Sequence, residues 1–175
     1  PGAEGNNKIW YAERFVPRPR TSLDASSQTH GTGREEQSPA LILLHGWLID
    51  RPQLAIYRSW ARHVARRGIE VWMPFLPHHM QRAEPDEISG QMALSPNLPN
   101  NFDMVRQAVA EARLLARWLR RRTTRVGIWG MSLGGWVAAL TTTLDDDWDA
   151  VALWAPVAAP VEVLFESGLV EMLRE

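Results

Sequence analysis

Ser132 is the residue in this chain with the clearest chemical potential, because of what surrounds it. The segment Arg125-Val126-Gly127-Ile128-Trp129-Gly130-Met131-Ser132-Leu133-Gly134-Gly135 reads as a short apolar strand that stops at a glycine, turns on a serine and re-enters a helix. Gly130-x-Ser132-x-Gly134 is the strand-to-helix pattern of a nucleophile elbow. A serine there must take a strained backbone conformation to lift its hydroxyl above the sheet edge. The flanking glycines let strand and helix pass close to the turn without a Cβ clash. Taken alone, such a pentapeptide would arise by chance roughly one time in 20 in a chain of this length. The surrounding elements therefore decide its meaning.

An acyl-transfer serine needs two backbone N–H donors aimed at the oxyanion that develops on its substrate. The N–H of Leu133, the residue after the nucleophile, supplies one. The other is expected from a loop leaving a neighbouring strand, and His45-Gly46-Trp47 follows the apolar run Pro39 to Leu44. Trp47 is the expected donor, with Leu48 as the fallback. Gly46 permits close approach, and His45 is read as a brace of that loop rather than a catalytic group.

The elements needed to hold these residues follow in order along the chain. Lys8 to Val16 is aromatic and β-branched, a strand or a hairpin, and Pro17-Arg18-Pro19-Arg20 ends it. Thr21 to Ser38 is polar and is expected to be a surface loop, with His30 solvated. Residues 1–38 thus form an N-terminal strand with a loop, and 39–175 the main domain. Pro39 to Leu44 is apolar throughout, as in a strand buried on both faces. Asp50 caps a helix with Pro52 in its first turn, Ile56, Trp60 and Val64 are its expected buried face, and Gly68 closes it. Ile69 to Leu76 is a second buried strand, which implies a parallel pair. Pro77 to Asn101 is a long loop, and Phe102 to Arg122 a helix buried along Phe102, Val105, Val109, Ala112 and Leu119. The elbow strand comes next, then a helix from Leu133 to about Leu144, a strand from Asp149 to Val157 and a helix from Val161 to Arg174. This alternation specifies an α/β fold, a doubly wound and mostly parallel sheet.

These features together resemble the α/β-hydrolase superfamily over about Leu41 to Glu175. The resemblance rests on Leu43-Leu44-His45-Gly46-Trp47 and on Gly130-Met131-Ser132-Leu133-Gly134-Gly135. Shorter features are similar to the branch related to abhydrolase domain-containing protein 18. They are Pro77-His78-His79, Ser132-Leu133-Gly134-Gly135, and the stretch from Pro156 toward Phe165-Glu166-Ser167-Gly168. The resemblance implies hydrolysis of an ester, thioester, amide or lipid ester through an acyl-enzyme on Ser132. It implies no metal and no organic cofactor, with a small-molecule or lipid ester as substrate.

The pattern departs from that family downstream. The triad of this fold runs Ser, then Asp or Glu, then His, and no histidine follows Ser132. Asp145, Asp146, Asp147 and Asp149 precede the next strand and so belong at the opposite sheet edge from the serine. Glu162 is at the correct end and is a second choice for the acid. Base and acid are therefore expected beyond Glu175, in a fold incomplete at its C-terminus, and the chain by itself is expected to be nearly inactive. His78 and His79 are expected to line the substrate pocket at the crevice where open α/β sheets bind ligands, while His63 is structural.

Composition narrows the classes further. The 175 residues carry 19 basic and 20 acidic side chains, a net charge of -1 that gives no global push toward nucleic acid. Arg62, Arg66, Arg67, Arg117 and Arg120 to Arg122 are read as solvated helix faces. No cysteine is present, which excludes disulfides and thiolate metal sites, and no run is long enough to span a bilayer. The chain opens on Pro1, so its N-terminus is expected to be incomplete, and the expected location is cytoplasmic. Two other function classes are compatible with parts of the pattern. One is a non-catalytic binding member of the hydrolase fold. The other is a dinucleotide-binding domain using Gly130-x-Ser132-x-x-Gly135, which lacks the central glycine and the acid after the next strand.

Overall fold

A computed structural model describes residues 6–17, 38–95 and 98–159. The expected loop over 21–37 with His30, the helix from Val161 to Arg174, Glu162 and Phe165 to Gly168 lie outside the described residues. The elements are β1 (Ala12–Phe15), β2 (Ala40–Leu44), α1 (Arg51–Ala65), β3 (Glu70–Pro74), α2 (Leu98–Arg120), β4 (Val126–Met131), α3 (Leu133–Leu144) and β5 (Ala150–Trp154). They build one five-stranded sheet in the order β1-β3-β2-β4-β5. The pairs β3–β2, β2–β4 and β4–β5 are parallel, and only β1 runs antiparallel, against β3. This is the α/β architecture that the alternating elements specify.

Helices cover both faces, which is why the strands are apolar in consecutive positions. Along β2, Ala40, Ile42 and Leu44 enter the core under α2 and α3, while Leu43 enters the core under α1 with Val71 and Met73 of β3. The two cores leave the C-terminal ends of the parallel strands as the place where loops gather. Asp50 caps α1 by accepting the Gln53 N–H at 2.7 Å, with Pro52 in the first turn. Gly68 closes the turn after α1 at φ 88°.

Several boundaries and faces differ from expectation. The N-terminal strand is only β1, preceded by a 3-10 turn at Asn6–Lys8. Helix α1 buries Leu54, Tyr57, Ala61 and Ala65, and Ile56 is 51% exposed, with Trp60 and Val64 only on the flank. Steps of four residues drift around a helix, so the Ile56-Trp60-Val64 line slants away from the true contact stripe. Helix α2 begins at Leu98, four residues before the expected Phe102. Proline is tolerated in a first turn, where its missing N–H has no partner to lose. Val105, Val109, Ala112 and Leu119 are buried as expected, whereas Phe102 is 63% exposed. Phe102 falls roughly a quarter turn from the stripe centre, and the buried Asn101 takes its place, bonded to Ser95 N and O at 2.8 Å each. The expected loop from Pro77 to Asn101 contains 3-10 turns at Met80–Arg82 and Gln91–Ala93. No described helix is long and apolar enough to cross a membrane.

Candidate active site

Ser132 stands between the last residue of β4 and the first of α3, at φ 52° and ψ -118°. Its backbone is held from both sides. The Ser132 N–H donates to Trp154 O at 3.0 Å, and its carbonyl accepts from Trp136 N at 3.0 Å. Its side chain makes no capping bond to α3 and is half-buried at the sheet edge. The Leu133 N–H opens α3, where backbone donors lack intrahelical partners and the helix dipole favours negative charge.

The glycines around the serine act through space. A Cβ on Gly130 would lie 2.1 Å from Gly134 O, and one on Gly134 would lie 2.5 Å from both Leu44 O and His45 O. Helix α3 therefore rests directly on the backbone of β4 and of β2. Gly46 is less crowded: a Cβ there would meet Tyr57 Oη at 3.4 Å and Ser132 Cβ at 3.5 Å, ordinary contacts. That second distance also puts the Gly46 loop beside the serine. Tyr57 Oη accepts the Gly46 N–H at 2.9 Å, so α1 supports the loop from beneath.

Backbone strain gathers at this edge. Among the described residues, the non-glycine residues at positive φ are Leu48, His78, Met80, Ser132 and Ala155. Every one lies in a loop leaving the C-terminal end of β2, β3, β4 or β5. Such conformations cost about 1–3 kcal/mol each and persist where surrounding structure enforces them, commonly at functional sites.

His45 is a brace. It is fully buried, Nδ1 lies 2.7 Å from Gly46 O, and Nε2 accepts the Leu76 N–H at 3.0 Å. Both ring nitrogens are thus committed to backbone. Burial pushes its pKa down to about 4, against the Gly46 carbonyl bond and with a further contribution from the Arg82 charge. His78 sits half-buried at φ 63°, with its backbone N–H on Asn7 Oδ1 at 3.1 Å. His79 is fully buried, so it is enclosed beneath its loop and does not line an open surface; Nδ1 lies 2.8 Å from Pro77 O. Burial lowers the pKa of both. The sign is clear: these rings are neutral in the folded state, and the unfolded chain takes up protons first. For His45 the stability this contributes is fully present above about pH 6.5 and is lost as pH falls toward 4; His78 and His79 act in the same direction. For His45 the loss by pH 4 is about 3 kcal/mol. Urea midpoints measured from pH 7 to pH 5 should fall steadily, and a flat profile would show that protons reach these rings in the folded protein.

The aspartates after α3 are at the far edge. Asp149 Oδ2 accepts the Val126 N–H at the start of β4 at 2.7 Å, and Asp145 pairs with Arg113 at 2.8 Å. The arginines at the helix ends are mostly solvated, though Arg122 stacks over Trp118 at 4.1 Å and Arg120 over Trp148 at 4.8 Å. No three His, Asp or Glu side chains among the described residues could hold a metal ion.

Sequence reading missed Arg82. Its side chain is fully buried, paired with Glu111 of α2 at 2.6 and 2.8 Å, and it donates to Phe75 O at 2.9 Å and Asn7 O at 2.8 Å. It ties the loop after β3 to β3, α2 and the N-terminal turn. Arginine supplies the planar fork for a two-point carboxylate contact. Arg82→Met would leave Glu111 without its cationic partner, keeping only the Gln107 amide at 2.9 Å, and should cost about 3 kcal/mol by chemical denaturation. A loss below about 1 kcal/mol would mean the loop is held by its apolar contacts instead.

No family model matches the chain. Uncharacterized proteins from two strains of Mycobacterium tuberculosis, H37Rv and CDC 1551, are each 31% identical over 170 residues. The chain spans 41% of the length of those relatives, and the match covers 90% of this chain. Among solved structures, ferulic acid-bound Est1E from Butyrivibrio proteoclasticus superposes with a TM-score of 0.58 at 14% identity, over 88% of this chain and 51% of that one. A soluble variant of monoglyceride lipase from Saccharomyces cerevisiae, in complex with a substrate analog, gives 0.59 at 8% identity, over 92% and 46%. The α/β-hydrolase GrgF from Penicillium sp. sh18 gives 0.54 at 16% identity, over 94% and 53%. Sheet order, parallel pairing and these likenesses identify the described residues as part of an α/β-hydrolase fold.

Proposed function

We propose that Ser132 is the nucleophile of a serine hydrolase acting on a carboxylic ester, thioester or lipid ester. The observation that carries this reading is the serine's position. It stands at φ 52° between β4 and α3, with the Gly46 loop beside it, close enough that a Cβ on Gly46 would touch the Ser132 Cβ. Esterase and lipase structures among those of like fold support the same chemistry. In this reading Ser132 Oγ attacks the substrate carbonyl carbon while its proton passes to a general base. The Leu133 and Trp47 N–H groups stabilise the oxyanion. The bond to the leaving oxygen or sulfur breaks, the leaving group takes the proton, and water then cleaves the acyl-enzyme.

The base is proposed to come from a residue after Glu175 in the parent protein. His45 has both ring nitrogens committed, and His79 is enclosed under its loop. The chain spanning about two-fifths of its relatives is in keeping with that. The narrower likeness to hydrolases related to abhydrolase domain-containing protein 18 belongs to this proposal too. It rests on Pro77-His78-His79 and the elbow.

The full-length protein should hydrolyse a chromogenic ester and lose that activity to one equivalent of a fluorophosphonate. Folded protein that neither turns over the ester nor reacts would mark a non-catalytic binding member of the fold. The 175-residue chain alone should be nearly inactive, and rapid turnover by it would show that the base lies within it.

A further inference from the structure

The loop after β3 is built onto the loop after β2, and their seam runs through Trp47, Gly90 and His79. The Trp47 indole N–H donates to Gly90 O at 2.7 Å. Gly90 is itself held at φ 87°, with its N–H on His78 O at 2.7 Å. The His79 ring lies against its Cα. A Cβ at Gly90 would come within 2.6 Å of His79 Nε2 and 2.9 Å of Leu48 N. Only a residue without a side chain fits between the imidazole and the Leu48 backbone.

The His79 ring cannot yield. A carbonyl oxygen only accepts, so Nδ1 beside Pro77 O carries the proton. Nε2 is then a bare acceptor, with no hydrogen-bond partner among the described residues. On its other side the ring packs against His45, centroids 4.9 Å apart, and His45 is itself bonded at both nitrogens. The result is a wedge of fixed shape and orientation under Gly90.

We propose that the His79–Gly90–Trp47 seam positions the oxyanion hole, with His79, Gly90 and the Trp47 indole as positioning groups that touch no substrate. This rests on the reading of Ser132 as nucleophile and of the Trp47 N–H as donor. Leu48, the next residue, sits at φ 52°, a strained conformation that a free loop would abandon. The indole bond ties that backbone to a loop 43 residues away. The tether holds the N–H beside Gly46, whose own Cβ position is 3.5 Å from Ser132 Cβ. A donor displaced by about 1 Å forfeits on the order of 100-fold in rate.

The test uses full-length protein with Trp47→Phe, which keeps an aromatic ring and removes the indole N–H, and with Gly90→Ala. Ester hydrolysis by Trp47→Phe should show kcat down about 10- to 100-fold with KM within about twofold, because the lost interaction serves the transition state. In Gly90→Ala, hydrogen exchange should quicken at the Trp47 indole, whose bond to Gly90 O the displaced loop would break. The Gly46 amide, held by Tyr57, should keep its protection. An active protein in which Trp47→Phe leaves kcat within twofold would overturn the seam and leave the hydrolase reading intact. So would Gly90→Ala protein that folds with indole exchange unchanged. Full-length protein with no hydrolysis of any ester would overturn both.

Discussion

Ser132→Ala is expected to lower ester hydrolysis by the full-length protein about 10⁴- to 10⁶-fold while leaving its fold unchanged. The two halves of that expectation have separate causes. Activity falls because, in the proposed mechanism, Ser132 Oγ is the atom that carries the acyl group. Stability holds because the Ser132 side chain makes no capping bond to α3. The φ of 52° strains alanine as much as serine, so the change in unfolding free energy should stay within about 0.5 kcal/mol. Ser132→Gly supplies the contrast. Glycine adopts positive φ without penalty, so that variant should be more stable by about 1 kcal/mol and equally inactive. A protein that gains stability as it loses the hydroxyl holds its serine in place for chemistry. Equal stability of the alanine and glycine variants would show that the elbow is not strained.

Gly130→Ala is expected to have the largest structural effect. Its Cβ would sit 2.1 Å from Gly134 O, 2.4 Å from Gly134 C and 2.7 Å from Gly135 N, all main-chain atoms of the first turn of α3. No rotamer relieves such a contact. Helix α3 would have to lift off β4, and Gly134 already lies on the carbonyls of Leu44, at the end of β2, and of His45 just after it. Lifting α3 opens the core that Leu133, Val137 and Ala138 fill beneath it. The cost should exceed about 4 kcal/mol, enough to remove cooperative unfolding from a domain of ordinary stability. Gly46→Ala is the matched control, since its nearest contacts are 3.4 and 3.5 Å, and it should fold normally. If Gly130→Ala melts like the parent, α3 does not approach the sheet this closely.

What could be read from the sequence was local. The elbow is legible because its glycines, its serine and the apolar strand before it are neighbours in the chain. The β2 run and its His45-Gly46-Trp47 loop are legible for the same reason. The faces of α1 and α2 were harder. Ile56 and Phe102 are apolar yet exposed, while the polar Asn101 is buried because its amide closes a loop onto Ser95. The least legible parts join residues far apart. Arg82 meets Glu111 across 29 positions, and Trp47 meets Gly90 across 43. Neither pair has a spacing that marks it. His45 was assigned as a brace, but its partner Leu76 N appears only once β2 and β3 lie side by side.

Locating a covalent adduct tests most directly whether Ser132 is the nucleophile. Full-length protein treated with a fluorophosphonate and digested should carry the phosphonyl group on the peptide containing Ser132, at one group per chain. A folded protein labelled at any other residue, or not labelled at all, would contradict the assignment.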